Sequence, residues 1–339
     1  MLDPATWTPA KLPPDLPPLL YVVVDTEEEF DWSKPFDRQS TGVATIAAQP
    51  RAHRIFERYG LKPCYMVDYP VAAKADGVAP LKELHDQGLC DIGAHLHPWV
   101  NPPFDEAVNR MNSYPGNLPP ALERAKLARL TDQITESFGH RPTLYRAGRY
   151  GVGPATAATL EALGYRIDAS VVPQSDFRAE DGPDFRHCGA DPYWFGGDER
   201  KLLEVPLSVG FVGALAPLGP RFYGAITRPQ AMRLRLPGLC ARLGLFERIR
   251  LSPEGIGAAE HGRLVETMLA RGQRIFGFTY HSPSLAPGHT PYVKNDSDLA
   301  RFLAGFEAFF DHFFGKLGGR ATTLPEIYRI LAERRDLAR

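Results

Sequence analysis

Seven apolar runs of four to eight residues recur along the chain, and stretches with helical spacing lie between them. Several runs are β-branched and apolar at consecutive positions, which is typical of parallel strands that are covered on both faces. We predict strands at residues 19–25, 62–67, 91–97, 143–146, 165–171, 202–209 and 274–281. We predict helices at residues 49–59, 80–86, 120–138 and 154–163. Because strands alternate with helices, the pattern predicts a barrel-like α/β fold with a parallel sheet.

The stretches outside this alternation define the predicted domain organisation. Residues 1–18 are rich in proline, and we expect an N-terminal extension that is either extended along the domain or disordered. We find no internal repeat and no linker, so residues 19–339 are predicted to form one domain. Three stretches near 99–120, 173–200 and 218–259 are predicted to be loop insertions, which either shape access to a site or decorate the surface.

Composition excludes several classes of partner. The formal net charge is −1 and the chain has no basic stripe, so we do not expect a nucleic-acid partner. No apolar run reaches the roughly 20 residues that span a bilayer, and the N-terminus lacks the basic start and apolar core of a secretory signal. We therefore expect no transmembrane segment and a cytoplasmic location. Cys64, Cys90, Cys188 and Cys240 form no CxxC pair, and we expect them to be reduced thiols.

Ionisable residues end five of the predicted strands. The runs end at Asp25, at His95 and His97, at Arg146, at Asp168 and at His281. The carboxyl ends of parallel strands that lie side by side meet at one edge of the sheet or barrel, so these side chains are expected to converge there. The convergence of residues from five separate segments predicts a functional site more strongly than any one motif does.

The acid cluster and the histidine pair predict a metal site. Asp25 begins the sequence DTEEE, and its apolar lead-in predicts a partly dry rim, where carboxylates need a partner such as a cation. His95 and His97 are two residues apart, so they share one face of a strand. Two imidazoles and a carboxylate from another strand form a zinc-type ligand set with an open fourth position. The alternative interpretation is a solvated acidic turn with two structural histidines.

Three further strand-end residues can complete a hydrolytic site. A histidine at position 281, near an activated water, can protonate a leaving amine or alcohol at neutral pH. Arg146 can orient a carboxylate base through a bidentate pair. Asp168 can hold His281 in one tautomer, although a buried cap or an ion pair accounts for Asp168 equally well.

The ordered motifs resemble those of the polysaccharide deacetylase family, carbohydrate esterase family 4, whose members share the NodB-type catalytic domain. The likeness runs from about residue 19 to residue 328 and is greatest for the WalW-like branch of lipopolysaccharide biosynthesis. It implies a distorted (β/α)7 barrel and a metal-dependent enzyme that removes N-acetyl groups from a sugar or a surface-polysaccharide precursor. The implied cofactor is a divalent metal, Zn²⁺ first, with Co²⁺, Ni²⁺ and Fe²⁺ also suited to imidazole and carboxylate ligands.

The resemblance also implies a role for each motif. Asp25 in VDTEEE corresponds to the catalytic base and Glu27 to the metal-binding acid, and GAHLHPW makes His95 and His97 the metal ligands. A backbone N–H near Arg149 is expected to help hold an oxyanion. The remaining catalytic positions are Arg146 in YRAGRYG, Asp168 in IDAS and His281 in TYHSP.

Two spacings depart from the family pattern. The histidines are two residues apart instead of four, and Thr26 separates two acids that are adjacent in the family. Glu28 or Glu29 can therefore take the place of Glu27 as the metal ligand.

Two other functions remain open at the level of the sequence. One is glycoside hydrolysis by two carboxylates, Asp25 or Glu27 with Asp168, which needs no metal. The other is a catalytically silent carbohydrate-binding domain, in which Trp99, Tyr193 and Trp194 stack on sugar rings.

Overall fold

The computed structural model describes residues 3–197 and 201–336 of the 339-residue chain. Parts of the predicted extension, second insertion and domain end, at residues 1–2, 198–200 and 337–339, lie outside the described residues. The strands are β1 (Thr8–Pro9), β2 (Leu19–Thr26), β3 (Cys64–Val67), β4 (Asp91–Leu96), β5 (Leu144–Ala147), β6 (Ile167–Asp168), β7 (Tyr193–Phe195), β8 (Leu202–Glu204), β9 (Val209–Val212), β10 (Glu247–Arg250), β11 (Ile275–His281) and β12 (Arg320–Ala321). The α-helices are α1 (Gln49–Arg58), α2 (Tyr69–Ala73), α3 (Ala75–Asp86), α4 (Pro120–Phe138), α5 (Thr156–Leu163), α6 (Gly219–Ile226), α7 (Pro229–Arg233), α8 (Leu236–Arg242), α9 (Ala258–Ala270), α10 (Asp296–Phe310) and α11 (Leu324–Asp336).

The predicted parallel α/β fold is confirmed. Seven of the described strands run parallel in the spatial order β11–β2–β3–β4–β5–β6–β8, and they are the seven that the hydrophobic pattern predicted. Among the described residues no ladder joins β8 to β11, so the curled sheet is an open barrel. The antiparallel strands β7 and β1 extend it beyond β8, and the short strand β12, also parallel, pairs with the start of β2.

Some boundaries differ from the prediction, and proline explains one of them. The run predicted as a single strand at 202–209 ends at Glu204, and its last residue instead begins β9, which pairs with β10 in a separate hairpin. Pro206 lies in the break, where it cannot donate a ladder hydrogen bond. The strand predicted at 165–171 is reduced to the two residues of β6.

Alternate residues of the strands pack into two hydrophobic clusters on opposite faces of the sheet. On β2, Leu20 and Val22 pack with the surrounding helices, and we call this the helix-side face. Leu19 and Tyr21 pack with Leu324 and other residues of α11 on the opposite face. This alternation follows from the period of two along a strand, and it decides which strand-end residues can meet.

The predicted insertions lie between strands of the fold, and the N-terminal stretch pairs with a strand in one of them. The first predicted insertion begins just after β4, and the second contains β7, to which β1 pairs. Helices α6–α8 lie between β9 and β10, and residues 213–246 are called the insert below. The four cysteines form no disulfide among the described residues.

No helix in the described part of the chain is both long and apolar enough to cross a membrane.

Candidate metal centre

Five of the seven predicted site residues line one cavity of about 490 Å³. They are Asp25, Glu27, His95, His97 and His281. They come from the carboxyl ends of β2, β4 and β11, as expected for strands that run in parallel. Asp25 follows Leu19, Tyr21 and Val23 at the period of two, so it emerges on the face opposite the helix-side face.

Glu27, His95 and His97 form a group that could hold a metal ion. The Oε2 atom of Glu27 lies 3.7 Å from Nε2 of His95 and 3.6 Å from Nε2 of His97. The three candidate ligand atoms lie within 4.8 Å of one another, and all three residues are buried. The second carboxylate oxygen of Glu27, Oε1, is buried and has no hydrogen-bond partner. A cation bound between these atoms would satisfy that oxygen, so the residues present fit a metal.

The other ring nitrogen of each histidine already has an acceptor. Nδ1 of His95 lies 3.0 Å from the carbonyl oxygen of Arg146, and Nδ1 of His97 lies 2.7 Å from Oε2 of Glu28. Both imidazoles therefore donate from Nδ1 and turn an unprotonated Nε2 toward Glu27. This is the arrangement in which metal-ligating histidines are held by an outer acceptor. Trp99 donates to the other oxygen of Glu28 at 2.8 Å and fixes that carboxylate.

The structure distinguishes among the three glutamates of the DTEEE turn. Glu27 faces the two free Nε2 atoms, Glu28 lies behind His97, and Glu29 accepts a hydrogen bond from the backbone N–H of Thr45.

A second group, formed by Glu28, Asp68 and His97, also meets the distance criterion for a metal. The polar atoms of this group already have hydrogen-bond partners. Glu28 is hydrogen-bonded to His97, and Asp68 accepts from the backbone N–H groups of Glu28 and Val71. Of the two groups, the one with Glu27 has the unsatisfied oxygen.

Burial sets the charge of these candidate ligands. It raises the pKa of Glu27 to about 7 and lowers the pKa of His97 to about 4, and it also lowers the pKa of His95. The two imidazoles are therefore neutral at pH 7, which is the form that binds metal. A bound cation would place a positive charge beside Glu27 and would stabilise its ionised carboxylate, which the two neutral imidazoles do not.

Arg146 lies behind Asp25 and not in the cavity lining. Its Nη1 atom donates to Oδ1 of Asp25 at 2.8 Å and to the hydroxyl of Thr279 at 2.7 Å, and its Nε donates to the carbonyl of Ala169. The contact with Asp25 is a single hydrogen bond and not the bidentate pair that we expected. Burial raises the pKa of Asp25, but Arg146, His95 and His281 together outweigh it and bring the pKa below its ordinary value. Asp25 is therefore ionised at neutral pH.

His281 is held by a carboxylate that the sequence analysis missed. Its Nδ1 lies 2.8 Å from Oε2 of Glu254, while its Nε2 lies 3.7 Å from Oδ2 of Asp25. Glu254 also accepts from the backbone N–H of His281 and from the hydroxyl of Ser284. Burial lowers the pKa of His281, but Glu254 first, then Glu27 and Asp25, raise it to about 10. Glu254 follows β10 in the sequence RIRLSPEG, and because three of the four residues of β10 are charged, no apolar run pointed to it.

Asp168 is not brought to His281, which corrects the role suggested for it. Ile167 and Ala169 pack on the face that α11 covers, so Asp168 between them points to the helix-side face. There it lies across from Glu204 in the ladder of β6 and β8 and accepts from the hydroxyl of Ser170. Burial raises the pKa of both acids, which favours a shared proton in place of two charges.

Aromatic side chains make up much of the remaining cavity wall. They are Phe30, Trp32, Phe36, Trp99, Tyr114, Tyr150, Phe177 and Tyr292. Each of the three predicted insertions contributes to the lining, with Tyr114, Phe177 and Arg250 respectively. Two of the aromatic residues that we expected to stack on sugar, Tyr193 and Trp194, are instead buried in β7. Tyr193 stacks on Trp7 with ring centroids 4.1 Å apart.

A strained turn closes the cavity beside His97. Arg149 and Tyr150 have φ of 54° and 58°, a left-handed conformation that is uncommon for residues other than glycine. A Cβ atom at Gly148 would lie 2.5 Å from Cδ2 of His97, so glycine is needed where the turn passes the histidine. The turn brings both Arg149 and Tyr150 into the cavity lining.

Several solved structures that are similar to this chain carry the names of carbohydrate-active proteins. A candidate polysaccharide deacetylase from Mycobacterium smegmatis is 15% identical with a TM-score of 0.55, covering 99% of this chain and 96% of that one. A 4-α-glucanotransferase from Thermococcus litoralis is 12% identical with a TM-score of 0.50, covering 92% of this chain and 40% of that one. A family 4 acetyl xylan esterase from Clostridium thermocellum, solved with a cobalt ion, is 12% identical with a TM-score of 0.42, covering 92% and 91%.

No family model and no curated protein matches the sequence. At these identities the likeness establishes the fold, a distorted α/β barrel of the polysaccharide deacetylase type, and does not establish the activity. A deacetylase-type protein and a glucanotransferase share the architecture, so the function must be argued from the site.

Proposed function

We propose that this chain is a metal-dependent carbohydrate deacetylase that removes an N-acetyl group from a sugar. The observation that carries the proposal is the convergence of three systems in one cavity. These are a Glu–His–His group with free Nε2 atoms, an ionised aspartate paired with Arg146, and a histidine paired with Glu254. A metal hydrolase that cleaves an amide needs a cation site, a base and an acid, and each system can supply one of them.

Glu27, His95 and His97 would hold the metal. When bound there, a divalent cation supplies Lewis-acid polarisation of the acyl carbonyl and lowers the pKa of a water molecule. Imidazole and carboxylate ligands suit Zn²⁺ and also Co²⁺, Ni²⁺ or Fe²⁺.

Asp25 is the proposed base, and Arg146 is its positioning residue. The guanidinium keeps the carboxylate ionised and leaves Oδ2 directed toward His281, so Asp25 can accept a proton from the attacking water. Backbone N–H groups of the left-handed turn at Arg149 and Tyr150 are proposed to stabilise the oxyanion as the carbonyl carbon becomes tetrahedral.

His281 is the proposed acid. Glu254 occupies Nδ1, so the proton available to a leaving group is the one on Nε2. The raised pKa keeps that proton in place at neutral pH until the C–N bond breaks and the amine departs. The products are acetate and an amino sugar.

The proposed family branch and substrate class rest on the motifs of the sequence. The order VDTEEE, GAHLHPW, YRAGRYG and TYHSP supports membership of the polysaccharide deacetylase family and, within it, of the WalW-like branch. The proposed substrate is therefore an N-acetylated sugar of a surface-polysaccharide precursor of the lipopolysaccharide type. The aromatic cavity wall is compatible with stacking on sugar rings.

The test measures acetate release from N-acetylglucosamine oligomers before and after removal of metal by a chelator. We expect activity to be lost with the metal and restored by Zn²⁺ or Co²⁺, with metal content measured in the same samples. Full activity in metal-free protein would contradict the proposal. Cleavage of glycosidic bonds by that protein would favour the two-carboxylate alternative, which the fold of the glucanotransferase keeps open.

A further inference from the structure

The insert exposes an unusual amount of apolar surface. Ten large hydrophobic side chains are exposed in the described part of the chain, and seven of them lie in the insert. They are Leu215, Leu218, Phe222, Met232, Leu234, Leu239 and Leu243. Single exposed hydrophobic residues are ordinary, but clusters of them mark interaction sites.

The spacing of these residues groups them on helix surfaces. Leu218, the residue before α6, is four residues from Phe222 within that helix. Leu239 in α8 is four residues from Leu243, the residue after that helix. Residues at this spacing are neighbours on one side of a helix. The insert has its own small core around Phe211, so the exposed side chains are additional to those that hold the insert together.

The same segment is positively charged. From residue 205 to residue 246 the sequence contains no aspartate, glutamate or lysine but five arginines, in a chain whose net charge is −1. The arginines are Arg221, Arg228, Arg233, Arg235 and Arg242. All five are exposed, and none forms an ion pair with a residue that the structure describes. The insert therefore offers uncompensated positive charge beside exposed apolar side chains.

We propose that the insert docks on an anionic lipid surface. At such a surface the leucines and Phe222 enter the boundary between headgroups and acyl chains, while the arginines bind phosphate groups with their planar guanidinium. Anionic lipid meets both features of the insert at once, since it supplies an apolar layer beneath a layer of negative charge.

A second copy of the chain fits this surface less well. A symmetric contact would bring the same patch of each copy together and set five arginines against five arginines. An acidic protein would satisfy the arginines and leave the exposed leucines to be explained. Charge complementarity combined with apolar exposure thus favours lipid over both.

The proposed surface is linked to the cavity through one hairpin. The chain leaves the insert along β10, whose last residue, Arg250, lines the cavity. A lipid-docked molecule would hold its cavity near substrates that are themselves attached to lipid. The docking proposal does not depend on the proposed chemistry, because vesicle binding is measured without turnover.

The experiment is co-sedimentation of the full chain with vesicles of phosphatidylcholine alone or of phosphatidylcholine mixed with phosphatidylglycerol. We expect binding to the mixed vesicles only, and we expect high salt to release the protein because the contact is electrostatic in part. Equal binding to both vesicle types, or binding to neither, would overturn the proposal.

Paired arginine substitutions test whether the insert is the surface that contacts the vesicles. Arg233→Ser with Arg235→Ser should weaken partitioning onto mixed vesicles about 25-fold, or roughly fivefold for each arginine. The matched control is Arg51→Ser with Arg54→Ser, two exposed arginines of α1, which should change partitioning less than about twofold if the insert is the contact.

The apolar part is tested with Leu239→Ser and Leu243→Ser, with Met111→Ser as the exposed control outside the insert. The leucine substitutions should weaken binding to the mixed vesicles at low salt, where the unsubstituted protein binds, and Met111→Ser should leave it unchanged. Unchanged binding by the arginine or leucine variants would overturn the proposal. So would a dimer, detected by analytical ultracentrifugation without lipid, that these variants abolish, because the surface would then belong to a second copy.

Discussion

The cavity and the insert each carry ionisable side chains on which a proposal rests, but the two sets differ in burial and pairing. In the cavity region each of these side chains faces a charged or hydrogen-bonding partner. His281 is half-buried, and the others are buried: Asp25, Glu27, His95, His97, Arg146 and Glu254. In the insert the five arginines are exposed and form no ion pair with described residues. The two regions therefore use charge in physically different ways.

A buried charge acts through one particular partner, whereas exposed charges act together on a partner. Removing one partner of a buried pair leaves an uncompensated charge in a dry environment, so each position matters individually. An exposed charge is solvated and screened by salt, so it gains little from any one contact and acts only with its neighbours on an extended partner. Substitutions in the cavity should therefore have large, position-specific effects, and those in the insert small effects on chemistry.

The largest effect is expected for Asp25→Asn. Loss of the proposed base should lower kcat by about 10³-fold or more, within the usual range of general-base contributions. Metal content should stay the same, because Asp25 is not in the Glu27–His95–His97 group. The measurements are acetate release and metal content of the same preparation, with circular dichroism to verify folding.

Asp168→Asn is the matched control for that substitution. Its carboxyl group is equally buried but lies on the helix side, hydrogen-bonded to Ser170. We expect kcat to remain within a few-fold of the unsubstituted protein, since the group touches neither cavity nor metal group. A fully active Asp25→Asn variant, or an Asp168→Asn variant as inactive as Asp25→Asn, would refute the assignment of the base.

The next largest effect is expected for Glu28, which accepts a hydrogen bond from the proposed metal ligand His97. Glu28→Gln replaces the charged acceptor of His97 Nδ1 with a neutral one, and outer partners of this kind change metal affinity by about 10- to 100-fold. Affinity is measured by competition with a chromophoric chelator. Glu29→Gln is the control, because Glu29 binds the Thr45 backbone and not a histidine. Equal loss of affinity in both variants would indicate a general effect of the acidic turn.

A smaller, directional effect is expected at Glu254. The acid His281 is active while protonated, so activity falls as pH rises through its pKa, which Glu254 helps to raise to about 10. Glu254→Gln removes the largest raising charge and should move the alkaline limb of kcat/KM to lower pH by roughly 1–3 units. The acidic limb should move less.

Glu180→Gln removes a different cavity-lining carboxylate, one paired with Arg149, and should leave the alkaline limb in place. A limb that stays fixed in Glu254→Gln would show that Glu254 does not tune His281.

The strand ends could be predicted from the sequence because an apolar run that ends in a polar residue can be recognised without knowing which face of the strand each residue lies on. Apolar β-branched runs predict buried parallel strands, and polar residues at their carboxyl ends meet at one edge. For His95 and His97 the prediction is stronger still, since residues two apart share a face whichever face it is. The shared face of these two residues could therefore be predicted before the sheet order was known.

Asp168 shows where this reasoning stops. In a parallel strand that is apolar on both faces, the pattern does not reveal whether a terminal residue points to the cavity or to the helices. The packing of Ile167 and Ala169 decides it, and that packing is tertiary. Glu254 was missed for a related reason, since β10 belongs to a hairpin outside the parallel sheet and its end carries no motif. Tyr193 and Trp194 were misjudged because an aromatic pair in a polar stretch can also be a short buried strand.

The smallest expected effect sharpens the comparison between the two regions. Arg233→Ser with Arg235→Ser should leave kcat/KM for a water-soluble N-acetylated oligomer within about twofold, since exposed substitutions away from a site rarely exceed that. The same variant is expected to lose vesicle binding, so chemistry and docking would separate in one protein. Assays at low and high salt should give the same ratio of variant to unsubstituted rates, because neither arginine lines the cavity. If turnover of the soluble substrate fell in parallel with vesicle binding, the arginines would contact the substrate itself, and the division between a buried chemical region and an exposed docking region would fail.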